Sequence, residues 1–211
     1  MSELVLYTNP MSRGRIARWM LEETGQSYRA EILAFGPPMK TPDYLALNPM
    51  GKVPTLVHGP AVVTEAAAIC AYLADAFPDA GLAPPPQSSA RGSYYRWLFF
   101  AAGPVEAAVT DVSLNVTTED PMLQGRLGYG SLGRVLDTLE RHFSDGRPYV
   151  LGDTFSAADV YLGAAVIWGM MTGGIPERAV FRAYADRLGA RPAAVRAREL
   201  DDALAGHMTA G

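Results

Sequence analysis

Cysteine is almost absent from this chain of 211 residues: Cys70 is the only one. A lone cysteine excludes an internal disulfide framework and any Cys-x-x-Cys redox pair. Histidine is nearly as scarce. His58, His142 and His207 stand far apart, without the spacing of metal ligands, so packing or surface roles are expected for them and no metal centre. No apolar run reaches the roughly eighteen residues that would span a bilayer, and the segment MSELVLYTNP lacks the basic stretch and apolar core of a secretory leader. A cytoplasmic protein without a membrane partner is expected. Excess positive charge is missing too: 18 basic and 22 acidic residues are intermixed, for a formal charge of −4, which leaves no basic surface for DNA or RNA.

What is present is apolar material, 49% of the chain, enough for one packed domain or two small ones. The first eighty residues alternate between strand and helix patterns. Leu4 to Tyr7 reads as a strand, and Ile16, Met20, Leu21 and Thr24 recur at helical spacing until Gly25 supplies a stop. A second strand fits Tyr28 to Leu33. Thr41-Pro42-Asp43 has the form of a helix start, a capping hydroxyl followed by proline, and leads to a short helix ending near Asn48-Pro49. The turn His58-Gly59-Pro60 separates the strands Thr55–Val57 and Ala61–Val63, after which Ala66, Ile69, Cys70 and Leu73 form an apolar helical stripe. The order is βαβαββα.

Proline then interrupts the pattern. The stretch Ala83-Pro84-Pro85-Pro86-Gln87-Ser88-Ser89 has the composition of a semi-rigid connector, which predicts domains over 1–82 and 90–211 joined by a linker over 83–89. Everything beyond reads as helix: Ala90 to about Asn115, Met122 to Phe143, Ser156 to Met171, Glu177 to Leu188, and Pro192 to Ala205. Ser156 and Asp159 have the spacing of a capping box, which is a folding device.

The stretch from Leu45 to Pro78 concentrates three devices for holding a small peptide-like ligand. Lys52-Val53-Pro54 enters a strand with a proline that can leave a backbone N–H and C=O facing outward. Thr64-Glu65-Ala66 opens a helix, whose unpaired N–H groups and positive dipole end accept a carboxylate. Glu65 is placed to receive an ammonium group. A backbone edge for the middle of a peptide, beside acceptor and donor groups for a zwitterionic end, describes a γ-glutamyl recognition site.

Four segments, LYTNPMSRGRIARWMLEETG, NPMGKVPTL, TEAAAICAYL and LGDTFSAADVYL, occur in the order and at the distances found in the glutathione transferases, and nearly the whole chain resembles that family. The resemblance implies a thioredoxin-like α/β domain followed by an all-helical bundle, with glutathione as cosubstrate and a homodimer as the assembly. It also implies attack of the glutathione thiolate on a small hydrophobic electrophile, the chemistry of detoxification. Glutathione-dependent isomerase, dehalogenase or peroxidase chemistry, or a non-catalytic binding protein of the same fold, are the alternatives.

That chemistry requires a site that lowers a thiol pKa from about 8.5, where roughly 3% is ionised at pH 7. A shift of about two units is roughly 2.7 kcal/mol, within reach of one hydroxyl donor and a helix N-terminus. The loop Thr8-Asn9-Pro10-Met11-Ser12 offers both. Aligned on Arg13-Gly14-Arg15, the family's catalytic hydroxyl falls near Asn9; aligned on Pro10-Met11-Ser12, it falls on Ser12. Tyr7, at the strand end, is expected in the core or behind the site. For the rest of glutathione the candidates are Lys40 and Lys52 on its glycine carboxylate, Val53 and Pro54 on its backbone, and Glu65 and Ala66 on its γ-glutamyl end. Ala66 departs from the family's Glu-Ser pair: the backbone N–H survives and the hydroxyl is lost. Met11, Tyr94, Trp97, Phe100 and Trp168, with Phe99, Met170 and Met171, are bulky apolar candidates for an electrophile pocket. Arg13, Arg15 and Arg18 read as a solvated face with one member pairing across a domain or dimer interface. Cys70 reads as packing.

Overall fold

The computed structural model describes residues 3–209, with side chains through residue 206; the His207 side chain lies outside the described residues. Two compact units emerge, one from residues through Leu82 together with those from Ala190 onward, the other from Ala83 to Gly189.

The first unit is built on a four-stranded sheet of order β2-β1-β3-β4, with β1 at Leu4–Thr8, β2 at Arg29–Ile32, β3 at Thr55–His58 and β4 at Ala61–Thr64. β1 runs parallel to β2 and antiparallel to β3, and β3 pairs with β4 in a hairpin. Helix α1 (Gly14–Thr24) turns its apolar stripe inward, burying Ala17, Met20 and Leu21, and ends at Gly25, whose φ of 67° accommodates the left-handed stop. Helix α2 (Pro42–Leu47) starts as its sequence predicts: Pro42 stands in the first turn, and the Thr41 hydroxyl accepts from the Tyr44 N–H. Helix α3 (Ala66–Ala76) buries Ile69, Cys70 and Leu73, and burial pushes the Cys70 thiol pKa up, so it is an inert packing residue. This is the thioredoxin-like α/β layout.

The last helix, α10 (Pro192–Thr209), packs on α1 in the same unit. The stretch 90–211, expected as one body, is therefore divided at Gly189. A ladder of ion pairs explains the packing: Arg15–Asp202, Arg18–Asp201, Glu22–Arg196 and Glu23–Arg191. Along α1 the charges run basic to acidic, and from Arg191 into α10 they do the same, so the antiparallel arrangement matches opposite signs at each rung. This corrects the reading of the arginines as a solvated face. Arg18 is buried, and both Arg15 and Arg18 are committed to the C-terminal helix.

The second unit is helical. Helix α4 (Ala90–Phe100) passes through a π turn at Ala101–Val105 into α5 (Glu106–Ser113), where one helix to Asn115 was expected. Pro104 lies inside that turn, and a proline lacks the N–H that would continue the α-helical ladder. The expected helix from Met122 to Phe143 is likewise split, into α6 (Pro121–Gln124) and α7 (Leu132–Phe143). Gly125, Gly128 and Gly130 weaken the segment between them, and Ser131 starts α7 afresh by accepting from the Arg134 N–H. Helix α8 (Ala157–Thr172) opens with the expected Ser156/Asp159 capping box, and α9 (Ala179–Gly189) packs on it. Asp159 is fully buried and accepts from the Ser156 N–H and hydroxyl, the Val150 N–H and the Tyr184 hydroxyl. Burial lifts its carboxyl pKa to about 6, with those four donors pulling the other way. No helix among the described residues is long and apolar enough to cross a membrane.

Candidate active site

Sheet topology gathers the sequence candidates at one end of the first unit. Tyr7 of β1 pairs with Thr55 of β3, and Thr55 pairs with Thr64 of β4. The loop after β1, the segment before β3 and the residues after β4 therefore leave the sheet side by side. These are the Asn9–Ser12 loop, Lys52-Val53-Pro54, and Glu65-Ala66.

The first segment is held by its own side chains. Asn9 is fully buried; its amide donates to the Leu33 carbonyl at 2.7 Å, and its Oδ1 accepts from the Met11 N–H at 2.8 Å. The Ser12 hydroxyl donates to the Asn9 carbonyl at 2.7 Å and accepts from the Gly14 N–H at 2.9 Å. Gly14 is required by proximity: a Cβ there would lie 1.9 Å from Thr8 Oγ1 and 3.0 Å from Ser12 Oγ. The Thr8 hydroxyl is buried without a hydrogen-bond partner. Of the two hydroxyl-or-amide candidates, Ser12 is half-buried at the mouth of α1 and Asn9 lies behind it as a support. Tyr7 packs its ring against Tyr44, with centroids 5.7 Å apart.

In the second segment, three successive carbonyls are drawn inward. The Lys40 ammonium donates to Met50 and Gly51, each at 3.0 Å. The Lys52 carbonyl accepts from the Tyr44 hydroxyl at 2.6 Å and the Asn48 amide at 2.8 Å. Gly51 fits because its φ is +57° and a Cβ would meet Lys40 Nζ and the Met39 carbonyl, each at 2.6 Å. Val53 comes next, joined to the buried Pro54 by a cis peptide bond. Among the described residues, neither its N–H nor its C=O enters the hydrogen bonding of the sheet or the neighbouring loops. The Lys52 side chain is exposed.

Glu65 carries the sharpest backbone feature of the third segment. Its φ is +64° and ψ 117°, a conformation that costs a non-glycine residue on the order of 1–3 kcal/mol. The side chain is exposed and makes no capping bond to α3, so local hydrogen bonding does not account for the strain. The first N–H groups of α3 lie immediately beyond it, at Ala66 and Ala67, where helices have no internal acceptor.

Comparison with known proteins identifies the family. Residues 11–76 match the glutathione S-transferase N-terminal domain and residues 126–187 the C-terminal domain. Glutathione S-transferase GST-4.5 of Xanthomonas campestris pv. campestris is 33% identical over 138 residues, covering 64% of this chain and 68% of that protein. The chain belongs to the glutathione S-transferase family. A glutathione transferase structure from Methylococcus capsulatus superposes with a TM-score of 0.79 at 29% identity, covering 94% of this chain and 98% of that one. A family member from Pseudomonas fluorescens, solved with two glutathione molecules bound, gives a TM-score of 0.76 at 26% identity, covering 94% and 93%.

As a transferase-family chain, this one sorts its apolar candidates by exposure. Tyr94 and Trp97 are buried in the second unit. Phe100 is half-buried, whereas Met11 and Trp168 are more than half exposed. Sequence reasoning missed Tyr44 and Asn48, which hold the Lys52 carbonyl. Asn48-Pro49 carried a turn signal, but nothing in the spacing tells which carbonyl a buried amide will hold.

Proposed function

We propose that the protein is a glutathione transferase that joins the glutathione sulfur to a small hydrophobic electrophile. The observation that carries this reading is the convergence at one sheet end of an unpaired Val53 backbone, the strained and exposed Glu65 before α3, and the Ser12 hydroxyl at the start of α1. Glu65 receives the ammonium of the γ-glutamyl group, and the Ala66 N–H its carboxylate. Val53 pairs with the peptide middle through its N–H and C=O, with Pro54 setting the direction of the chain. Lys52 is the freer partner for the glycine carboxylate, because Lys40 already spends two of its three N–H donors on loop carbonyls.

Catalysis in this reading is stabilisation of the thiolate. On binding, the thiol proton passes to solvent and the Ser12 O–H turns from the Asn9 carbonyl to the sulfur. A neutral hydrogen bond is thereby exchanged for a charge-assisted one, roughly twice as strong. The thiolate then forms a carbon–sulfur bond with the electrophile as the leaving group departs or a conjugated double bond takes up the electron pair. Met11, exposed in the same loop as Ser12, is the candidate for contact with the electrophile. The assembly expected is a two-fold dimer in the cytoplasm, to be checked by gel filtration. Product analysis with activated aryl halides, enones and hydroperoxides tests the reaction itself. Glutathione conjugates are the expected product, and oxidised glutathione alone would assign peroxidase chemistry instead.

A further inference from the structure

Arg15 makes two connections. Its Nε donates to the Pro10 carbonyl, inside the site loop, and its Nη1 lies 2.7 Å from Asp202 Oδ1 on α10. We propose that Arg15 is a positioning residue of the glutathione site, through which the C-terminal helix sets the Pro10–Ser12 loop. The inference rests on the proposed role of that loop in holding the thiolate.

From within, Asn9 and Gly14 hold the Met11 and Ser12 ends of the loop. Arg15 adds a hold on the Pro10 carbonyl. A guanidinium is a rigid plane with donors in a fixed fork, so placing one edge against Asp202 fixes where Nε aims. Asp202 itself is placed by the neighbouring Arg18–Asp201 pair, which is buried. A chain of fixed geometry thus runs from a helix near the C-terminus to the carbonyl two residues before Ser12.

Positioning and simple electrostatics give opposite signs on substitution. Asp202→Asn removes a negative charge and leaves Arg15 in place. Electrostatics alone would make the thiolate easier to form, whereas loss of positioning makes it harder. The test follows thiolate absorbance against pH in the glutathione complex of the full-length protein, with thermal unfolding recorded in parallel. For Asp202→Asn the ionisation constant is expected to fall about threefold, and for Arg15→Lys, which keeps the charge but not the fork, about tenfold. Arg196→Gln, at a rung remote from the loop, is expected to lower the unfolding temperature and leave the thiolate unchanged. An unchanged or more acidic thiol in Asp202→Asn, with a normal low value in wild type, overturns this inference and leaves the functional reading standing. Absence of a bound thiolate in wild type overturns both.

Discussion

Asn9 and Leu33 are joined by a 2.7 Å hydrogen bond from the buried amide to the carbonyl, so the loop after β1 is anchored to the end of β2. This separates the two site candidates by the kind of damage their loss inflicts. Asn9→Ala leaves the Leu33 carbonyl and the Met11 N–H without partners and is expected to lower stability by about 2–3 kcal/mol. Ser12→Ala is expected to lower stability by less than about 1 kcal/mol while reducing turnover by at least about tenfold. Urea unfolding and steady-state kinetics on the two variants check the contrast; equal stability losses would dissolve it.

Under the proposed function, Glu65 trades stability for ligand binding. Glycine adopts a φ of +64° without penalty, so Glu65→Gly is expected to raise stability by about 1 kcal/mol, or roughly 2–4 °C in Tm. The same change is expected to weaken glutathione binding by at least about tenfold, through loss of the carboxylate. Calorimetry on binding and unfolding reads both, and a variant that is less stable with unaltered affinity contradicts the assignment.

The buried Arg18–Asp201 pair leaves Arg18 Nη2 and Asp201 Oδ2 without partners, so its desolvation is incompletely offset. Arg18→Ala is expected to cost about 3–5 kcal/mol, because it strands a carboxylate. The double replacement Arg18→Met with Asp201→Leu is expected to lie within about 1 kcal/mol of wild type or above it. Denaturant midpoints of the single and double variants decide this.

His142 stacks on Trp97, with ring centroids 4.0 Å apart, and Nε2 lies 3.0 Å from the Val150 carbonyl. Burial, with Arg147 and Arg96 nearby, lowers its pKa below the ordinary value, against the pull of the Val150 carbonyl. The unfolded chain therefore binds a proton at His142 more readily than the folded one. Stability is accordingly lost as pH falls through about 6.5, the unfolded value, toward the lower folded one. Asp159 works in the opposite sense, its folded pKa of about 6 making stability fall as pH rises from the unfolded value near 4. His142→Gln is expected to flatten the loss of stability just below pH 6.5, measured by urea unfolding across pH; an unchanged slope would contradict it.

Much of this was legible from residues alone, because it is written in local signals. Gly25, Thr41-Pro42 and the Ser156/Asp159 spacing each mark a helix end by a mechanism contained in a few neighbouring residues. The starts of β3 after Val53-Pro54 and of α3 after Glu65 were legible for the same reason. What could not be read was tertiary choice. Arg18 has the composition of a surface residue and is buried by a partner 183 positions away, and Arg15 reaches the same helix. Tyr94 and Trp97 have the chemistry of a ligand pocket, and only packing shows them to be interior. The split between α6 and α7 lay in the glycines of 125–130, outweighed in the sequence reading by apolar periodicity on either side.

The most direct test of the account is an ultraviolet pH titration of glutathione bound to the protein, in wild type and Ser12→Ala. A thiolate with an apparent pKa at least about one unit below the 8.5 of an unperturbed thiol is expected, rising toward that value when Ser12 is lost. A bound glutathione whose sulfur titrates near 8.5 in wild type would contradict it.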